Sequence, residues 1–316
     1  MVDRKPTYKN RVLVTKEADG TQEYVTWEHA DSPITEGTPL NKQNLMSDEA
    51  AAAVGLSADA TPSKAFEAIG ASLSGLAADV DNLQYSNAGA HNAVYRGKFL
   101  GNSVTEEQYA AIKAGTFDDL YIGDYWTIGD VNYRIAAFDY FLNAGDTECT
   151  DHHAVIVPDT CLYNAAMNST DTTDGGYVGS AMRTANLKKA KTTIKSAFSG
   201  HVLKHRIYLT NAVANGCASD GAWCDSEVDL MCEQMVYGSG IFSPVSDGSN
   251  VPANYRVEKS QLPLFQHEPS RICNRNNWWL RDVITASGFA DVYASGDADC
   301  GAASDSRGVR PAFCIY

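Results

Sequence analysis

His201 and His205 stand at the i, i+4 spacing that lets two imidazoles share one helix face and one zinc ion. Val202 occupies the place of the glutamate base in such a motif, so the pair reads as two polar residues at a helix end. His152 and His153 are adjacent, and in an extended chain adjacent side chains point to opposite faces and do not ligate one metal. Tyr237-Gly238-Ser239-Gly240 lacks the full nucleophile elbow, and no phosphate-binding glycine loop follows a strand. Asp297, Asp299 and Asp305 give the acidic rhythm of a calcium loop. Ala302 and Gly308 stand where such a loop needs glycine and a bidentate glutamate, which predicts an exposed acidic loop, with a looser calcium site as the alternative. The eight cysteines include no Cys-x-x-Cys pair and are assigned mainly to buried packing. No catalytic residue, metal ligand or cofactor site is assigned, and the chain is not expected to be an enzyme.

The 316 residues are 44% hydrophobic and carry a formal charge of −14, enough for one or two real cores and the wrong sign for a phosphate backbone. Nucleic acid is excluded as a partner. Neither a signal peptide nor a membrane span is expected, because the N-terminus is polar and no apolar run approaches the required length.

Three elements are expected before the main domain. Val12-Leu13-Val14 and Tyr24-Val25-Thr26-Trp27 flank Asp19-Gly20 as a hairpin. Ser47 caps a short helix ended by Gly55, and Thr61-Pro62 opens a longer one. On the latter, Phe66, Ile69, Leu73, Leu76, Val80 and Leu83 recur at alternating spacings of three and four. Such a seam predicts a parallel homotrimer or, alternatively, an amphipathic helix packed on its own chain. Ser86 to Ala90 reads as a linker. The domain organisation is therefore an attachment region at 1–46, a helical stalk and linker at 47–90, and an α+β domain at 91–316. Within that domain the capping box Ser103-Val104-Thr105-Glu106 predicts a helix closed by Gly115. Strands are expected at 120–122, 125–128, 133–138 and 154–157. Helices are expected at 181–198, with Leu187, Ile194 and Phe198 inward and four lysines outward, and at 226–237.

The C-terminal segment is the most distinctive. Asn274-Arg275-Asn276-Asn277-Trp278-Trp279-Leu280-Arg281 precedes the 26-residue stretch Asp282 to Arg307, which contains no Lys, Glu, Gln, Met or Trp. Together with Phe289-Ala290, Val292, Gly296, Ala298, Ala303-Ser304, Ser306 and the closing Gly308-Val309-Arg310-Pro311-Ala312-Phe313, this pattern resembles the variable region of diversity-generating-retroelement target proteins. That resemblance implies a C-type-lectin-like domain of the formylglycine-generating-enzyme type, with a variable region over about 277–307. It implies a receptor-binding protein in a phage or prophage tail, hence a virion location. The leader Pro39-Leu40-Asn41-Lys42-Gln43-Asn44-Leu45 resembles the end by which tail fibres attach to other tail proteins. The expected partner is a bacterial cell-surface protein or glycan.

The resemblance also accounts for the missing residue types. Adenine-directed mutation of AAY codons never yields Lys, Glu, Gln, Met or Trp. It does yield the residues found at the expected ligand-binding positions Asn277, Gly288, Asp291, Tyr293, Ala294, Ser295, Asp297, Asp299, Cys300, Gly301, Ala302, Asp305 and Arg307. Trp278, Trp279, Arg281 and Arg310 are expected as framework, with Arg310 pairing with a carboxylate or backbone carbonyls beneath the site. Tyr293 is the expected anchor, and the aspartates around it predict a partner rich in basic or donor groups. Glu268-Pro269-Ser270 has serine where calcium-dependent lectins of this class have asparagine, and the cysteine pair of the formylglycine-generating enzymes has no match, so neither activity is carried over. The competing readings are an enzyme on the same fold and a purely structural tail component.

Overall fold

The computed structural model describes residues 11–15, 19–26, 45–85, 88–245 and 260–316. Two compact units divide at Leu76 and Ala77. In the first, β1 (Arg11–Thr15) and β2 (Gln22–Thr26) form the expected antiparallel hairpin. Thr21 folds its turn by donating from both its backbone N and its hydroxyl to Asp19 Oδ1, at 3.1 and 2.7 Å. Ser47 Oγ accepts from Ala50 N and caps helix Asp48–Ala53, which Gly55 ends in the left-handed conformation. Met46, Ala51, Ala60 and Ala65 make a small core there. Helix Pro62–Tyr85 starts at Thr61 as its sequence requires. Its apolar seam lies open: Phe66 is 75% exposed, and Ile69, Leu73 and Leu76 are exposed with it. The side chains of Val80 and Leu83 lie outside the described residues.

The second unit is mixed α+β. Its largest sheet has six strands in the order β10-β15-β6-β5-β4-β3. These are β3 (Phe99–Gly101), β4 (Tyr125–Ile128), β5 (Val131–Phe138), β6 (Ala154–Pro158), β10 (Val228–Leu230) and β15 (Pro311–Ile315). Beside it lies a five-stranded sheet in the order β13-β12-β11-β14-β7. It comprises β7 (Tyr163–Ala165), β11 (Trp278–Val283), β12 (Gly288–Val292), β13 (Ala298–Ala302) and β14 (Arg307–Val309). A separate ribbon pairs β8 (His205–Ala214) with β9 (Cys217–Ser226). Apolar residues fill β6 without alternation because both of its faces are covered.

Helix Glu106–Ala114 carries a capping box two residues later than the sequence suggested: Thr105 and Gln108 exchange the two bonds, and Ser103 does not take part. Helix Lys188–Ala197 buries Ile194 with flanking Leu187 and Phe198 and turns its lysines outward, after a π-helical turn at Met182–Asn186 that the sequence did not announce. Three expectations are corrected. Ala88, Gly89 and Ala90, read as the end of the linker, belong to a helical turn, Ala88–Asn92, that buries His91. Residues 120–122 form a single bridge, Tyr95 to Ile122, in place of a strand. The helix expected at 226–237 is confined to Glu233–Tyr237, because Val228–Leu230 pairs with β15 and buried Asp229 accepts from Tyr177 and Ser226.

The histidine spacing does not fall on a helix. His201 stacks on Tyr109 in a loop, whereas His205 starts β8 and packs on Phe141. Burial pushes His205 down to about 3, so it is neutral. All eight cysteines are free, three of them buried.

Candidate functional site

The C-terminal segment folds into the five-stranded sheet, and its framework residues are the ones that cannot move. Trp278 and Trp279 are both fully buried, and their indole N–H groups donate to Ile272 O at 3.2 Å and Ala165 O at 2.9 Å. Arg281 donates to Leu230 O at 2.6 Å. Arg310 is the single residue between β14 in one sheet and β15 in the other. Its guanidinium lies between the rings of Trp278 and Phe265 and donates to Pro158 O and Arg271 O, at 2.8 and 2.9 Å. Burial pushes its pKa down to about 10, so the cation survives at neutral pH.

On this floor two turns present side chains to solvent. In the β12–β13 turn, Tyr293 N donates to Asp297 O and Gly296 N to Tyr293 O, both at 2.8 Å, and Gly296 takes a positive φ of 101°. Tyr293 is left 50% exposed, with Ser295 and Asp297 exposed beside it and Ala294 partly so. In the 303–306 turn, Ser304 donates from its N and Oγ to Asp171 Oδ1, at 3.0 and 2.6 Å, and Asp305 is exposed. Cys300 is exposed on β13, and Asn277, Asp299, Ala302 and Arg307 are partly exposed. An open depression of about 420 Å³ lies among these elements, lined by Arg275, Asn276, Asn277, Ala294, Asp305, Ser306 and Arg307.

Three of the expected surface positions are inside. β12 is a central strand covered on both faces, so Asp291 is buried beneath the Arg307 guanidinium and ion-paired to it. Burial raises Asp291 from 3.8 to about 6 despite that cation, and its Oδ1 has no hydrogen-bond partner. Arg307 also pairs with Asp305 at 2.9 Å, approaches Asp299 at 3.9 Å and lies over the Trp279 ring. Gly301 is glycine because a Cβ there would stand 2.6 Å from the Arg307 guanidinium carbon and 2.7 Å from the Trp279 ring; at Gly288 it would meet Gly301 O at 2.8 Å.

Residues 240–316 match the family model Domain of unknown function (DUF6273). No curated protein and no solved structure matches the chain. The matched stretch supplies β11 to β15, the framework and every expected ligand-binding residue. It is not self-sufficient, because β7, Asp171 and the carbonyl of Pro158 come from earlier in the chain. Sequence reasoning missed Asp171, which nothing local connects to Ser304, and did not assign Arg275 or Asn276 to the site. Their signal was the polar run directly before Trp278. Among the described residues no group of three or more His, Cys, Asp or Glu is arranged to hold a metal ion, and no helix is long and apolar enough to cross a membrane.

Proposed function

We propose that this chain is a receptor-binding protein of a phage or prophage tail, displaying a diversified ligand surface on a C-type-lectin-like domain. The observation that carries the reading is the division of labour in the C-terminal sheet. Trp278, Trp279, Arg281 and Arg310 are buried, while Tyr293, Ser295, Asp297, Cys300 and Asp305, all residue types reachable from AAY codons, face solvent, and Asp305 lines the depression together with Asn277, Ala294 and Arg307. A rigid floor under replaceable side chains is what a recognition surface needs, since outward substitutions leave packing untouched.

The exposed seam of Phe66, Ile69, Leu73 and Leu76 supports a parallel homotrimer, which would multiply weak contacts by avidity. Residues 1–46 serve attachment to other tail proteins in this scheme. Two experiments test the proposal. The DNA next to the coding sequence is expected to hold a reverse transcriptase and an adenine-rich template repeat matching residues 277–307. The full-length protein is expected to bind cells in a bacterial panel, with Tyr293→Ala lowering that binding at unchanged fold. Wild-type binding to no cell type, or binding indifferent to Tyr293, Ser295 and Asp297 together, refutes the recognition surface.

A further inference from the structure

Resting on that reading, we infer that the depression beside Arg307 takes a saccharide bearing a carboxylate, and that Arg275 recognises the acidic group. The five aspartates of the variable stretch suggested the opposite charge preference, but the fold spends most of them internally. Asp282 is buried and accepts from Glu233 N at 2.6 Å, Asp291 is buried under Arg307, and Asp305 is bound by Arg307. Asp297 accepts from Ser295 Oγ at 2.6 Å, and neither Asp297 nor Asp299 lines the depression. The charge of Arg307 is met by these same carboxylates.

Arg275 differs. It is exposed, its guanidinium has no hydrogen bond or ion pair to any described residue, and its backbone sits at φ 55°, a left-handed conformation that a long side chain adopts rarely. The backbone bond from Arg275 N to Ala294 O, at 3.0 Å, ties that strained residue to the Tyr293 turn and so to the wall of the depression. A free guanidinium offers a planar fork of N–H donors that matches a carboxylate bidentately.

The rest of the lining fits hydroxyl groups. Asn277 commits its oxygen to Ala294 N at 3.0 Å and keeps its NH2 for an acceptor, Ser306 adds a hydroxyl, and Asp305 adds carboxylate oxygen. Tyr293, next to Ala294 on the same turn and half exposed, offers a ring face of the kind on which a pyranose stacks. The depression is open to solvent, and its volume of about 420 Å³ falls in the small-ligand range of roughly 300–1,000 Å³.

The test is an array of polygalacturonate, alginate and polysialate, each paired with its carboxyl-reduced counterpart, probed with the full-length protein and with Arg275→Gln. At least one carboxylated member is expected to bind about tenfold or more tightly than its reduced form. Arg275→Gln is expected to erase that preference while its circular dichroism and melting match wild type. The inference is overturned if no carboxylated member is preferred, or if Arg275→Gln keeps the preference. Tyr293-dependent binding to cells or to neutral glycans without a carboxylate preference would leave the receptor-binding reading standing, whereas loss of all binding would remove both.

Discussion

Replacing Arg307 by alanine tests the electrostatics under the candidate binding face. Asp291 is buried with Arg307 as its counterion, and its native pKa is raised from 3.8 to about 6. Because the folded form binds the proton more tightly, this group stabilises the fold fully below about pH 4. That contribution declines as pH rises toward 6, by roughly 3 kcal/mol for a shift of about two units at 1.36 kcal/mol each. Removing the cation above pH 6 leaves a buried carboxylate unpaired, a loss of about 3–5 kcal/mol. At pH 5 Asp291 is mostly protonated, and Arg307→Ala then loses chiefly its stacking on Trp279, about 1–2 kcal/mol. Thermal melts at pH 8 and pH 5 read the difference: a fall on the order of 10 °C at pH 8, at 2–4 °C per kcal/mol for a unit of this size, and about half that or less at pH 5. Asp291→Asn in the Arg307→Ala background is expected to restore most of the pH 8 loss. Equal losses at the two pH values, or no rescue by Asp291→Asn, would refute the reasoning.

Other consequences are open to similar measurements. Gly301→Ala drives a Cβ against Trp279 and Arg307 and is expected to cost about 1–3 kcal/mol by urea denaturation, although its neighbours Cys300 and Ala302 tolerate exchange with changes within about 0.5 kcal/mol. Arg310→Met strands the carbonyls of Pro158 and Arg271 and is expected to destabilise by about 3 kcal/mol or more; a loss below about 1 kcal/mol would contradict its role as a sheet-joining residue. Leu73→Glu combined with Leu76→Glu is expected to convert the proposed trimer to a monomer in sedimentation equilibrium without altering melting of the C-terminal unit.

Local rules carried the sequence reading furthest where one residue decides a conformation. Asp19-Gly20, Ser47, Thr61-Pro62, Gly55 and Gly115 mark turns and helix ends by their own stereochemistry, and the structure places each there. Long-range pairing was less legible. Val228–Leu230 carries nothing that forbids a helix, and only its partner strand β15, eighty-odd residues away, makes it extended. At the candidate site the buried floor was readable, because paired tryptophans and an arginine among apolar residues have few places to go. The direction of Asp291 was not. Strand alternation assigns a residue to one of two faces, and it was the covering of the second face by Arg307 that took the carboxylate out of solvent. Asp171 was invisible for the same reason, since its bond to Ser304 spans 133 positions.

The passage of the chain from β14 to β15 through Arg310 alone bears on how the molecule opens. With no slack between the two sheets, strands on either side of Arg310 cannot separate without drawing its guanidinium out from between Trp278 and Phe265. Local opening of the five-stranded sheet is thereby linked to opening of the six-stranded sheet, so amide protons on β11 and β14 should exchange with the same free energy as those on β6 and β15. The proposed recognition surface then inherits the stability of the whole unit and behaves as part of one cooperative folding unit, which lets its solvent-facing residues change without each change being answered by a local loss of order.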